Sequence, residues 1–98
     1  MAEVIWTEAA VADLDAIADF IAVENQAAAA ALVRRVLDHV AQLADYPESG
    51  PRPQELTGRR YRQIVEPPCR VFYRFDGKHV FVLHVMRAER RLRRSRLS

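Results

Sequence analysis

The stretch from Arg60 to Met86 most constrains the fold, because it predicts three consecutive short strands. We expect these strands at Arg60–Val65, Cys69–Phe75 and His79–Met86. Asp76-Gly77 separates the last two strands. Asp-Gly between β-branched and aromatic residues is a strong hairpin signal, because such turns need a positive φ that glycine adopts at little cost. The C-terminal half of the chain is therefore predicted to contain a three-stranded unit.

The side-chain patterns of these strands predict how they face their surroundings. The third strand is apolar at nearly every position, which is typical of a central strand covered on both faces. The second strand alternates, with Arg70, Phe72 and Arg74 on one face and the residues between them on the other. The register of the last hairpin stays open. A two-residue loop would pair Phe72 with Phe81, and a three-residue loop would shift the pairing by one.

The N-terminal half predicts a short strand at Glu3–Trp6 and then a helical hairpin. Thr7 is a good N-cap for a helix over Glu8–Val23, and Asn25 can end this helix and cap a second one over Gln26–Asp45. Both helices carry an apolar stripe with helical spacing. The stripes consist of Val11, Leu14, Ile17, Ala18 and Ile21 in the first helix and Val33, Val36, Leu37, Val40, Leu43 and Ala44 in the second.

The predicted order is therefore β-α-α-β-β-β. Helices and strands are segregated along the chain, so the fold class is α+β, with an N-terminal helix hairpin packed on an antiparallel sheet. The length of 98 residues fits a single domain, which we assign to residues 1–86. Residues 87–98 include six arginines and are interpreted as a basic C-terminal tail.

The charges are distributed unevenly, although the net charge is only +2. Residues 1–50 hold two basic and nine acidic side chains, whereas residues 51–98 hold thirteen basic and four acidic ones, giving net charges of −7 and +9. Such asymmetry indicates a basic face for an anionic partner, or an attraction between the two halves.

Several function classes are disfavoured by composition. Cys69 is the single cysteine and is interpreted as a small buried hydrophobe, and the three histidines show no metal-ligand spacing, so no metal or other cofactor is expected. We predict a cytoplasmic protein, because the sequence shows neither a signal peptide nor a stretch that could span a membrane. Arginines remain as the chemical feature of the chain. Their planar, permanently charged side chains bind phosphate or carboxylate groups.

An ordered set of motifs resembles one known family. Arg60-Tyr61-Arg62 is followed by Pro67-Pro68-Cys69-Arg70-Val71-Phe72-Tyr73-Arg74 and by Asp76-Gly77. Upstream lie a Trp-Thr-x-x-Ala-x-x-Asp-Leu start and a Pro-x-x-Gly loop from Pro47 to Gly50. Together these elements resemble the ParE branch of the RelE/ParE toxin superfamily over nearly the whole chain.

The resemblance implies a type II toxin neutralised by a cognate, ParD-like antitoxin whose disordered segment folds on the toxin. ParE members act on DNA gyrase, whereas RelE members cut mRNA within the ribosome and commonly use a C-terminal tyrosine. This chain has no tyrosine after Tyr73, and Arg87 stands where the family commonly has histidine. An arginine does not release its proton near neutral pH. These departures favour a gyrase inhibitor that acts by binding, without a catalytic residue of its own.

We therefore predict three groups of residues. Target binding is assigned to Arg70, Arg74, Arg87, Arg90 and Arg91. Antitoxin binding is assigned to Arg60, Arg62, Leu14 and Ile21, and the apolar grooves could also support a homodimer. The alternative is a RelE-like, ribosome-dependent mRNA endoribonuclease that would use Arg60, Arg62, Arg70, Arg74 and His84. A plain nucleic-acid-binding module is a third hypothesis, and it predicts a steep salt dependence of affinity.

Overall fold

The computed structural model describes residues 1–53 and 60–87. Its elements are β1 (Glu3–Trp6), α1 (Glu8–Ala22), α2 (Gln26–Ala41), a 3-10 turn (Gln42–Ala44), β2 (Tyr61–Glu66), β3 (Cys69–Phe75) and β4 (His79–Arg87). The α+β class and the element order are confirmed, and every predicted strand boundary lies within one residue of the observed one. The second helix is shorter than predicted, because its last turn tightens into the 3-10 form. The predicted tail beyond Arg87 lies outside the described residues.

The four strands form one sheet in the order β1-β4-β3-β2. The strand β3 is antiparallel to both of its neighbours, β2 and β4, as predicted. The strand β1 pairs in parallel with β4, from Glu3 opposite His79 to Trp6 opposite Val82. The sheet as a whole is therefore mixed. The apolar β4 lies between two strands, which confirms its predicted central position.

The hairpin between β3 and β4 has neither of the two predicted registers. Phe75 pairs with Val80, and the N–H of Asp76 donates to the carbonyl of His79 over 3.1 Å. Gly77, with a φ of 101°, and Lys78 form the tip of the turn. The Asp76 carboxylate accepts from the N–H groups of His79 and Lys78, at 2.6 and 2.9 Å. These bonds lower the pKa of Asp76 to about 2. They also place Asp76 at the first position of the turn, whereas the prediction placed it in the loop between the strands.

A bulge in β4 changes the register again. Tyr73 pairs with Val82, but the preceding Phe72 pairs with His84, so Leu83 is an extra residue in β4. The bulge reverses the alternation of the strand beyond this point. As a result, Val82 and Val85 both contribute to the core beneath the helices, although they are three residues apart.

The core lies between the helix hairpin and one face of the sheet. The predicted alternation of β3 is confirmed, because Cys69, Val71 and Tyr73 face this core while Phe72 belongs to a smaller cluster with Met86 and Tyr61. Cys69 is fully buried, as expected.

The predicted helix stripes were wrong at two positions. Val11 is 44% and Leu37 45% exposed, whereas Ala10, Ala29 and Leu32 are buried. Since α1 and α2 pack on each other as well as on the sheet, the buried surface of each helix is wider than one stripe and also takes in these three residues.

Candidate functional site

Two arginines are stacked on aromatic rings on the sheet face opposite the helices. The guanidinium carbon of Arg70 lies 4.8 Å from the ring centroid of Phe72, and that of Arg74 lies 4.7 Å from Phe81. The Nε of Arg70 also donates to the side-chain oxygen of Gln63 over 2.9 Å. The structure thus brings Arg70 and Arg74 together on one face, as the alternation of β3 predicts. Stacking restrains the direction of each side chain while its N–H edge can still donate.

Arg62 fixes the loop that leads from α2 to β2. Its Nη1 donates to the carbonyl oxygens of Glu48 and Gly50, at 3.1 and 2.9 Å, and its Nη2 lies 3.5 Å from the Glu48 carboxylate. The guanidinium therefore already holds carbonyl groups of its own chain. Arg60 is exposed just before β2 begins. Of these two predicted antitoxin contacts, Arg60 is the more accessible.

Arg87 lies apart from the stacked pair. Its guanidinium carbon is 5.4 Å from the ring centroid of Phe20 on α1, and its strand partner is Cys69, which faces the core beneath the helices. The predicted target-binding arginines are thus divided between the open sheet face and the end of α1. Arg90 and Arg91 of the same predicted set lie outside the described residues.

The apolar antitoxin contacts predicted on α1 need a correction. Leu14 is only 6% exposed and packs in the core, so its side chain offers almost no surface to a partner. Ile21 is half-buried against the same core. The exposed apolar residues at this end of α1 are Phe20 and Val23, at 68% and 85%, which sequence reasoning missed. The irregular position of Phe20, outside the apolar stripe, is the signal that could have indicated it.

His84 forms a hydrogen bond with Asp13 of α1. Its Nδ1 lies 3.0 Å from Asp13 Oδ2, and the same carboxylate oxygen accepts from the N–H of Val85 over 3.1 Å. The residues predicted for the endoribonuclease alternative therefore occupy separate places. Arg70 and Arg74 lie on the open sheet face, whereas Arg62 holds the loop and His84 pairs with a helix.

A cleft that the sequence did not indicate lies between α2 and β2. Its volume is about 460 Å³, and its lining includes Leu43, Tyr46, Gly50, Ile64 and Val65. His39 of α2 also lines this cleft. Its Nδ1 lies 3.0 Å from Glu66 Oε2, while Arg35 Nε lies 3.3 Å from Glu66 Oε1.

Buried Tyr73 anchors the loop beside this cleft, at Gly50. The N–H of Gly50 donates to the hydroxyl of Tyr73 over 3.0 Å, and the N–H of Gln63 donates to the carbonyl of Pro51 over 2.9 Å. Burial raises the pKa of the Tyr73 hydroxyl, which therefore stays neutral.

Within residues 1–53 and 60–87, neither helix is long and apolar enough to cross a membrane. These residues also contain no group of three or more His, Cys, Asp or Glu side chains that could hold a metal ion.

Comparison with known proteins agrees with this architecture. Residues 4–92 match the family model described as the ParE toxin of the type II toxin-antitoxin system parDE. The chain is 35% identical over 88 residues to Toxin RelE2 of Caulobacter vibrioides, covering 89% of this chain and 92% of that protein. It also superimposes on a chain of the chromosomal ParDE TA system from P. aeruginosa with a TM-score of 0.77 and 31% identity, covering 91% of this chain and 98% of that one. The chain therefore belongs to the ParE toxin family of type II toxin–antitoxin systems.

Proposed function

We propose that this ParE-family toxin inhibits DNA gyrase by binding it, without catalysing a reaction, and that a cognate antitoxin neutralises it. Gyrase is the target that the ParE branch of the superfamily implies. Because gyrase works on the chromosome, the proposed site of action is the cytoplasm. No metal or other cofactor takes part in this proposal.

The observation that best supports a binding mode is the stacked pair on the open sheet face. Arg70 and Arg74 each lie less than 5 Å from an aromatic centroid, so less side-chain entropy is lost when they bind an anionic group. A charge-assisted hydrogen bond contributes about 1.5–3 kcal/mol. We propose that Arg87, Arg90 and Arg91 extend the contact with the target.

The proposed antitoxin is a ParD-like protein with an acidic, amphipathic segment. One solved structure that this chain resembles belongs to a chromosomal ParDE TA system, which supports such a partner. Arg60 and Ile21 remain in the proposed contact set, and Phe20 and Val23 join it as exposed apolar neighbours. Arg62 also remains in the set, and we expect it to keep its bonds to the carbonyls of Glu48 and Gly50 when the antitoxin binds. Without antitoxin, the same apolar surface could pair two copies of the toxin.

A supercoiling assay with purified gyrase tests the target. The wild-type toxin should block supercoiling and increase cleaved DNA complexes. Replacing both stacked arginines (Arg70→Gln, Arg74→Gln) should weaken inhibition by about tenfold or more, since two charge-assisted contacts are lost. Arg34→Gln with Lys78→Gln removes the same amount of charge from other surfaces and should change inhibition by less than about twofold. Uninhibited supercoiling at micromolar wild-type toxin would refute the proposal.

The RelE-like endoribonuclease stays the alternative, because one relative of this chain is named Toxin RelE2. That activity predicts cleavage of transcripts during translation within minutes of expression. Intact transcripts in cells that show DNA damage signalling would exclude it. Cleavage by the pure protein with ribosomes would instead exclude the binding-only proposal.

A further inference from the structure

The sheet face opposite the helices carries a row of side chains that crosses all four strands. Tyr61 of β2 pairs with Arg74 of β3. Arg74 in turn pairs with Phe81 of β4, and Phe81 pairs with Ile5 of β1. Paired positions of neighbouring strands point to the same face, so these four side chains form one cross-strand row. Each of them is partly exposed, so the row lies at the surface of the molecule.

Arg74 is the cation of this cross-strand row. Its guanidinium carbon lies 4.7 Å from the ring centroid of Phe81, and that ring lies 5.6 Å from the ring of His79. In the part of the chain that the structure describes, no oxygen atom accepts a hydrogen bond from Arg74. A guanidinium that rests on one ring keeps its second face and its N–H edge for a ligand. It can therefore stack on a base and donate to a phosphate.

The strands that carry this face hold almost no acidic residues. Glu66, the last residue of β2, is the one Asp or Glu in β2, β3 and β4, and it pairs with α2 on the helix side. The carboxylates of Asp13 and Glu3 lie at the margin of the face, each beside a histidine. Asp13 is 3.0 Å from His84 Nδ1, and Glu3 is 3.8 Å from His79 Nε2. The face is thus complementary in charge to a polyanion.

The aromatic rings of the row favour nucleic acid over an acidic protein. A protein carboxylate would use only the charge of the row. A single strand of nucleic acid uses both features, because its phosphates bind cations and its bases stack on aromatic side chains. We propose that the cross-strand row binds a single-stranded stretch of DNA, with Arg74 on a phosphate and the rings of Tyr61 and Phe81 stacked on bases. The inference rests on the proposed action on gyrase, which supplies the DNA, and it names the anionic group that the stacked cations meet.

The test measures binding of the full-length toxin to a fluorescent single-stranded DNA of about 16 nucleotides, by anisotropy. Arg74→Lys keeps the charge but loses the plane, and Phe81→Leu keeps every charge but loses the ring. Each should weaken binding about fivefold or more. Arg34→Gln is the control, because it removes a charge from an exposed position of α2, and it should change affinity by less than about twofold. Equal affinity of the wild type, Arg74→Lys and Phe81→Leu would overturn the assignment.

Photochemical cross-linking of the wild-type toxin gives a readout that does not depend on the folding of a variant. A single-stranded DNA that carries iodouracil should attach to Tyr61 or Phe81, because a stacked ring lies against the reactive base. Peptide mapping identifies the attached residue. Adducts found only elsewhere in the chain would overturn the assignment.

RNA and purified gyrase separate this inference from the proposed target. Binding of RNA of the same sequence at least about tenfold more tightly than DNA would overturn the assignment to DNA and favour the endoribonuclease. If Arg74→Lys weakens binding to gyrase without DNA, and the wild type binds no single-stranded DNA, the row contacts protein and the inference is wrong. A toxin that inhibits gyrase but does not bind single-stranded DNA refutes this inference alone. A toxin that binds DNA through the row and leaves supercoiling unchanged supports the site and refutes gyrase as the target.

Discussion

Gly50 is the single residue whose identity the structure explains most directly. A Cβ atom at this position would meet the carbonyl oxygen of Gln63 and would lie 2.9 Å from the hydroxyl oxygen of Tyr73. We predict that Gly50→Ala lowers the free energy of unfolding by about 1–3 kcal/mol, because both groups belong to the sheet and can shift little. Urea denaturation measures this loss. Ser49→Ala, at the exposed neighbouring position, should stay within about 0.5 kcal/mol of wild type.

The hydroxyl of Tyr73 gives an independent check of the same contact. Tyr73→Phe removes the acceptor of the Gly50 N–H without adding an atom, and a buried N–H without a partner costs about 1–3 kcal/mol. If Gly50→Ala and Tyr73→Phe both leave the urea midpoint unchanged, the loop does not pack on the sheet in this way.

At the scale of elements, the two helix caps differ in what they hold. Thr7 Oγ1 accepts from the N–H of Ala10 at the start of α1 and donates to the carbonyl of Val82 over 2.7 Å, so it joins the helix to β4. Asn25 accepts from the N–H of Ala28 at an exposed position and caps α2 alone. We therefore expect Thr7→Ala to cost about 2 kcal/mol and Asn25→Ala about 1 kcal/mol.

Thermal or urea unfolding of the two cap variants measures this difference. Thr7→Ser keeps the hydroxyl and should recover most of the stability lost in Thr7→Ala. Equal losses for Thr7→Ala and Asn25→Ala would show that the contact with β4 contributes nothing beyond the cap itself.

The same local rules explain how much of the fold the sequence predicts. The caps Thr7 and Asn25, the strand β3 and the turn at Gly77 follow from neighbouring residues, and the prediction located each of them. The register of the last hairpin depends on the bonds of the Asp76 carboxylate and on the extra residue Leu83 in β4. The Asp76 bonds are local but involve a side chain, and the bulge depends on how β4 pairs with β3, so a pattern of alternating residues determines neither.

The candidate site shows the same limit. That Arg70 and Arg74 share a face follows from the period of a strand. The contacts of Arg62 with loop carbonyls and of His84 with Asp13 do not follow from this period. Their partners are 12 to 71 positions away along the chain. Burial of Leu14 likewise depends on how α1 lies across β4. Sequence reasoning thus found the stacked cations but not which other candidates the fold already uses.

At the scale of the whole molecule, the segregation of charge predicts how the toxin meets its partners. The second half of the chain carries the net charge of +9 that should accelerate encounter with an acidic antitoxin. We predict that the association rate with the cognate antitoxin falls by about tenfold or more between about 0.05 M and 0.5 M salt, because the Debye length shrinks over this range. The dissociation rate should change much less, since the apolar contacts that we propose at Phe20 and Val23 are insensitive to screening. Stopped-flow fluorescence measures both rates, and Arg70→Gln with Arg74→Gln should reduce the salt slope of association. An association rate that does not depend on salt would mean that the charge asymmetry serves the attraction between the two halves of the chain and not the encounter with a partner.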